Sequence, residues 1–502
     1  MTKNMKKILS LILIVAVLAG GIFSFVACSG NEIDKVSKNL TTYAISATLN
    51  DEDKTISAIQ KVRYMNNSGE SLSFVCFHLY PKAFREDAMV KPYTSLNEAT
   101  CFPNGVSFGN INILEVFVNN SKIDFEIIGD DENILKVDLG FELENKKSAD
   151  IEIKFDLIIP NSTHRFGWYE SNINLGNWYP IACVSQNGEF DMTPYFSIGD
   201  PFFSEMANYE VEFSYPEKYM LCSTGNLSLE TSDGKTVAKM NAKAVRDFAL
   251  CLSLNSKIES TSLGDVNISY MSCLTDEEIV TIVKLARDAI EFFGRIFGEY
   301  PYQSLMIAKT PFLYGGMEYP NIVFVSDSID SKQELYKVVV HEIAHQWWYG
   351  LVGNNETKEA WLDESLSEYS AALFFKEHAS YGINYDDFVA EAMSSYLLYV
   401  DVLNTIKGEV NTKMDLAVNE YQNDYEYSYM VYIKGVIMFD SLKNMVGENK
   451  VLAGLKKYYS DNKFKNATKQ DFFNAFKFAC HQDLDGFFEG FLDGSTIISN
   501  IN

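Results

Sequence analysis

Histidine occurs only 6 times in this 502-residue chain, so any cluster of histidines carries information. Proline, with 11 copies, is too sparse for proline-rich linkers or polyproline segments. There are 8 cysteines and no C-x-x-C pair, which excludes a zinc–thiolate ribbon and a thioredoxin-type redox motif. Basic residues are few: 42 Lys and Arg stand against 68 Asp and Glu, a formal charge of −26. That balance argues against a nucleic-acid partner, whose phosphates would repel the chain. It argues equally against adhesion to anionic lipid by charge. Beyond residue 27 no stretch is long and apolar enough to span a bilayer. Internal repeats and low-complexity segments are absent too.

What is present is a packed, globular composition, 47% hydrophobic and 14% aromatic. The length exceeds one ordinary core and predicts two or three domains. The N-terminus reads as an export signal over residues 1–27. Lys3, Lys6 and Lys7 form a positive start, and Ile8 to Ala27 is almost wholly apolar. It ends Phe25-Val26-Ala27-Cys28, which resembles a bacterial lipobox with Cys28 as the lipidated first residue. The expected location is therefore extracytoplasmic, on the outer face of the cytoplasmic membrane, held by Cys28 or by an uncleaved anchor. The other seven cysteines are scattered; most read as small buried apolar residues, and an extracytoplasmic location leaves room for one or two disulfides whose pairing the sequence does not give.

Residues 28–39 read as a tether and 40–255 as a β domain. Segments such as Asp150-Ile151-Glu152-Ile153-Lys154-Phe155 alternate at period two, with turn signals at Asn67-Ser68-Gly69 and Asp233-Gly234. Stacked antiparallel sheets are expected there. From residue 256 to 495 the pattern becomes mixed and mainly helical. A helix is expected over Thr275 to Phe297, a strand over Ile322 to Val325, and a helix from about Glu359 to His378.

The second half carries the chemistry. In His341-Glu342-Ile343-Ala344-His345 the two histidines, four apart, share one face of a helix and can reach one metal ion, with Glu342 placed to handle protons. Glu364, after eighteen intervening residues, supplies a third, anionic ligand. Three protein ligands leave a fourth position for water, the arrangement of a catalytic zinc. Val338, Val339, Val340, Ile343 and Ala344 make this helix apolar almost all round and place it in a dry interior. Glu368, one turn beyond Glu364, reads equally as an exposed helical charge or as a group that orients a ligand histidine from behind. Upstream, Gly315-Gly316-Met317-Glu318 precedes the expected strand. Exposed backbone there can pair with an extended peptide, and Glu318 can hold a free α-ammonium. Downstream lie five tyrosines, Tyr421, Tyr425, Tyr427, Tyr429 and Tyr432; a hydrolase needs one phenol as oxyanion donor, and periodicity does not choose among them. His78, His164, His378 and His481 read as ordinary surface or core histidines.

Gly-x-Met-Glu, then His-Glu-x-x-His with eighteen residues to Glu, then Tyr432-Ile433-Lys434-Gly435, resembles the gluzincin zinc aminopeptidases, which include alanyl aminopeptidases and leukotriene-A hydrolase. Phe77-His78-Leu79-Tyr80-Pro81 and Trp178-Tyr179-Pro180 extend the resemblance more loosely. It implies an N-terminal all-β sheet domain followed by a thermolysin-like α+β catalytic domain. It also implies one Zn2+ held by His341, His345 and Glu364, with Glu342 as general base. Tyr432 becomes the oxyanion donor and Glu318 the amine anchor, and Gly315, Gly316 and Met317 line the peptide edge. The implied activity is removal of N-terminal residues from peptides. A thermolysin-like endopeptidase and a non-catalytic surface binding protein are the alternatives. Four features depart from the family: Tyr319 follows Glu318 where Asn is usual, Asp363 and Ser365 flank Glu364 where Asn and Gly are common, no residue of the β domain matches the second amine-binding Glu or Gln, and the large C-terminal helical domain is not seen.

Overall fold

The structure is a computed structural model that describes residues 32–273 and 276–498. The export-signal reading and Cys28 lie outside the described residues. Alternation builds the N-terminal half. In Thr41–Asn50 the side chains of Tyr43, Ile45, Ala47 and Leu49 point inward, and in Thr55–Met65 Ile56, Ala58, Val62 and Tyr64 do the same. These two strands form a hairpin at the centre of an eight-stranded sheet. Its order is Asn226–Ser232, Lys235–Val245, Ala207–Pro216, Thr41–Asn50, Thr55–Met65, Ser148–Ile158, Asn110–Val118, Ser121–Ile123. Two four-stranded sheets accompany it, one around Leu250–Ser253 and one around Leu72–His78. The inner face of the large sheet meets an aromatic knot: Tyr43 stacks on Tyr209 at 5.0 Å, and the Tyr179 hydroxyl donates to that of Tyr209 at 2.9 Å.

The expectation of antiparallel sheets holds with one exception, since Thr41–Asn50 runs parallel to Ala207–Pro216. The chain between these strands builds further strands of this sheet and of the two smaller ones, so no short hairpin forces an antiparallel return.

After Ser253 the strands join a different sheet. Its order is Lys257–Leu263, Val266–Ser272, Ser304–Thr310, Ile322–Ser326, Gly316–Met317. The last strand is an edge, antiparallel to Ile322–Ser326. The parallel step from Val266–Ser272 to Ser304–Thr310 is spanned by α1, Asp276–Ile296. The helices that follow are α2 (Lys332–Ala344), α3 (Trp361–Glu377), α4 (Tyr385–Lys407), α5 (Lys434–Val446), α6 (Glu448–Asn462), α7 (Lys469–Cys480) and α8 (Asp485–Leu492). Among the described residues no helix is long and apolar enough to cross a membrane. The described cysteines are free, and all but Cys273 are buried.

One buried cation joins the halves. Arg246, at the end of the β half, donates through Nε to the Tyr349 carbonyl at 2.7 Å and through Nη1 to the Ser204 carbonyl at 3.0 Å, and its guanidinium also reaches Lys465 and Asn466. Tyr349 is in the left-handed region, φ 111°, a cost for a non-glycine residue that the grip on its carbonyl offsets.

Candidate active site

Ser331 caps α2, accepting a hydrogen bond from the Glu334 amide. The helix is apolar on the sides that meet the sheet and α1, so its last turn is driven inward and carries His341 and His345 with it; both rings are buried. Opposite, α3 brings Glu364 into the same space. The His341 and His345 Nε2 atoms are 3.0 Å apart, and Glu364 Oε2 is 3.2 Å from each. Tetrahedral coordination at the zinc–nitrogen distance of about 2.0–2.1 Å sets ligand atoms about 3.3 Å apart, so the three atoms already describe one face of such a tetrahedron. Two neutral imidazoles and one carboxylate suit a borderline ion of zinc's kind.

The far sides of both rings are held. His341 Nδ1 lies 2.7 Å from Glu368 Oε2, and His345 Nδ1 lies 2.9 Å from the Trp348 carbonyl. A carbonyl and a carboxylate only accept, so both Nδ1 atoms donate, and in the neutral rings that bind a metal both Nε2 lone pairs turn toward the shared centre. Burial disfavours a charged His341, but hydrogen bonds to Glu364 and Glu368 outweigh it and hold this imidazole well above the usual range in the metal-free site. Burial would raise Glu364, yet His345 and His341 hold it down at about 2.

Glu342 sits between this centre and the edge strand. Burial raises its carboxyl to about 8 in the absence of a metal, against the pull of His341. A Cβ on Gly316 would lie 2.2 Å from Glu342 Oε1, so that glycine is what lets the carboxylate lie against the strand. Glu318 follows the strand, 3% exposed, with Oε1 lacking any hydrogen-bond partner. Its backbone carbonyl and that of Tyr319 face the Gln346 amide. The departure at Tyr319 has a structural explanation: its hydroxyl donates to Asn177 Oδ1 at 2.7 Å in the β half, and it lies so close to Gly176 that a side chain there would overlap it.

Of the five tyrosines, the structure brings Tyr432 to the centre. Its hydroxyl donates to Glu364 Oε1, and its ring stacks on His341 at 5.6 Å. Tyr427 packs beside it, buried, its hydroxyl unpartnered. Tyr421 donates to the Met414 carbonyl, Tyr429 stacks on Tyr399, and Tyr425 is exposed. The backbone over Ser428–Ile433 is a π turn, which leaves carbonyls without their usual helical partners. Ser365 supplies one: its hydroxyl donates to the Val431 carbonyl at 2.5 Å. Gly435 lies against Ser365 with no room for a Cβ, so α5 packs tightly on α3. Lys434 is buried and donates to the carbonyls of Thr412 and Phe491, tying α8 to this region. The remaining histidines are elsewhere. His78 stacks on Tyr80, His164 faces the Pro92 carbonyl, His378 stacks on Phe374, and His481 ends α7.

The site opens into a cavity of about 760 Å³ lined by Gly315, Gly316, Glu318, His341, Glu342 and Tyr432 among others. Arg165 and Asp200 are among the lining residues that escaped the sequence reading because they come from the β half. Arg165 donates to Asp200 at 2.6 Å and stacks on Phe202 and Tyr314. They lie far upstream of the metal motif in a segment with no periodic pattern, and no sequence signal marks them. Behind the ligands, burial raises both Asp363 and Glu356 well above the carboxylate range.

Aminopeptidase N of Lactobacillus helveticus is 27% identical over 234 residues, covering 41% of this chain and 26% of that protein. Leucine aminopeptidase 2 of Aspergillus fumigatus is 27% identical over 288 residues, covering 55% of this chain and 44% of that protein. The chain thus spans less than half the length of these curated relatives. The crystal structure of an M1 zinc metallopeptidase from Deinococcus radiodurans superposes with a TM-score of 0.63 at 13% identity, covering 91% of this chain and 95% of that one, a likeness of fold. The description "Peptidase family M1 domain" matches residues 282–491, a segment that contains the edge strand, His341, His345, Glu364 and Tyr432.

Proposed function

We propose that the protein is a zinc-dependent aminopeptidase that removes N-terminal residues from peptides. The observation that carries this reading is Glu318: a buried carboxylate with an unpartnered oxygen, beside an open strand edge and the metal-ligand triangle. Such a group needs a cation, and the α-ammonium of an extended peptide brings one to it. With the first residue fixed there, the first peptide bond falls at the triangle.

Zinc held by His341, His345 and Glu364 would supply Lewis acidity toward a carbonyl oxygen and toward water. Glu342 accepts the proton of the attacking water and returns it to the leaving amine. Tyr432 turns its hydroxyl from Glu364 to the developing oxyanion. Gly315, Gly316 and Met317 pair with substrate backbone along the edge, and Glu368 and the Trp348 carbonyl keep both imidazoles aimed. The protein itself is placed outside the cytoplasmic membrane by lipidation of Cys28, a reading supported by Lys3, Lys6, Lys7 and the apolar run that follows; radiolabelled fatty acid that a Cys28→Ser chain still incorporates would refute it.

The activity test uses one peptide set with free amino termini and the same set acetylated, with and without a chelator. Chelator-sensitive loss of single residues from free termini alone is expected. Cleavage of both sets assigns an endopeptidase, and cleavage of neither assigns a binding protein.

A further inference from the structure

The catalytic cavity has a continuation. Helix α4 lines it with Ala392 and Ser395, then carries the same face onward with Leu398, Tyr399 and Val402, which line a second groove of about 400 Å³. Tyr425 lines both spaces, so they are successive reaches of one cleft between α4 and the 424–433 segment. The second reach is apolar and open: Leu398 is 64% exposed, Val402 43%, Tyr425 65%, and Ile406 extends the stripe at 72%. Large apolar side chains at spacings of three and four on one exposed helix face are an unpartnered binding surface. The stacked pair Tyr399 and Tyr429, 4.1 Å between ring centres, gives it a firm floor.

We propose that this groove binds the downstream, apolar part of peptide substrates and so gives the enzyme a preference several residues beyond the bond it cuts. The inference rests on the aminopeptidase reading, because an anchored amino terminus leaves the rest of the peptide only the way out along the cleft. From Ser395 to Val402 the helix rises about 10 Å, the length of about three residues of extended peptide. The continuity through Tyr425 favours the substrate over a second copy of the chain or a lipid surface as occupant.

The test uses the zinc-loaded protein and heptapeptides identical except at positions four to six, which are leucine and phenylalanine in one and serine in the other. A single-residue arylamide, too short to reach the groove, is the control. Release of the first residue should favour the apolar peptide by about tenfold to a hundredfold in kcat/KM, the range that burying one leucine-sized side chain yields. Leu398→Asp and Val402→Asp should remove that preference and leave arylamide turnover unchanged. Equal cleavage of both heptapeptides, or a preference that survives both substitutions, overturns the proposal. Loss of self-association or of binding to phosphatidylglycerol vesicles in these variants, with peptide preference intact, assigns the face to those partners and overturns it too. If no substrate is cut at all, the aminopeptidase reading fails by itself. The groove is then judged by fluorescence anisotropy of the labelled apolar peptide, which must bind the parent more tightly than Leu398→Asp.

Discussion

Replacing Glu368 by alanine removes the acceptor that fixes the ring of His341. The contact is a 2.7 Å hydrogen bond from Nδ1 to a carboxylate that is 26% exposed, so it is partly shielded from water and only partly screened. Without it the ring regains rotational freedom and the ligand nitrogen loses basicity. Partners of this kind are worth about 10- to 100-fold in metal affinity, or about 1.4–2.7 kcal/mol. The loss should stop there. The Trp348 carbonyl still holds His345, and Tyr432 still holds Glu364. Competition against a chelator of known affinity measures the effect, with Glu368→Gln, which keeps a neutral acceptor, falling between alanine and the parent. Saturating zinc should restore most of the turnover. Zinc affinity within about twofold of the parent would refute the reasoning, since the positioning of His341 would then need no outside acceptor.

Other outcomes follow from the same geometry. Glu342→Gln should retain zinc by elemental analysis and lose nearly all peptide hydrolysis. Tyr432→Phe should cost about 2.7–4 kcal/mol of transition-state stabilisation in kcat/KM; a change below about tenfold would shift the role to Tyr427. Gly316→Ala should abolish turnover with zinc bound, because its methyl carbon would occupy the place of Glu342 Oε1. Zinc affinity should rise with pH through the neutral range by up to about tenfold per unit. His341 in the metal-free site is raised above its ordinary value, so it holds a proton that the metal must displace, and zinc uptake in weak buffer should release that proton. The same proton stabilises the metal-free fold below the ordinary histidine range, and that contribution fades as pH climbs through the raised value.

The meeting of His341, His345 and Glu364 was legible because it is local. Two histidines four apart need only a helix to meet, and Glu364 needs only a second helix packed on the first. The alternating strands were legible for the same reason. The choice among the tyrosines was not. At 3.6 residues per turn Tyr425, Tyr429 and Tyr432 would share a face, but the wider turn over Ser428–Ile433 sends Tyr432 to the ligands and leaves Tyr429 against Tyr399. Family resemblance, rather than periodicity, singled out Tyr432. Arg165 and Asp200 were illegible because only tertiary folding carries them to the cavity, and the parallel pairing of Thr41–Asn50 with Ala207–Pro216 depends on a long excursion that no local pattern encodes. The helix expected from Glu359 begins instead at Trp361, after a separate turn at Glu356–Glu359.

The grip of Arg246 makes the two halves indivisible. Its guanidinium belongs to the strand-rich half, yet it clamps the bend just after the zinc-ligand helix and the segment between α6 and α7. A gene fragment encoding only residues 256–498 would carry every metal ligand and still lack the clasp that keeps Tyr349 in its unfavourable conformation. The candidate active site is therefore not a portable cassette: heat should melt the whole chain in one step, and neither half should survive a cut at the junction.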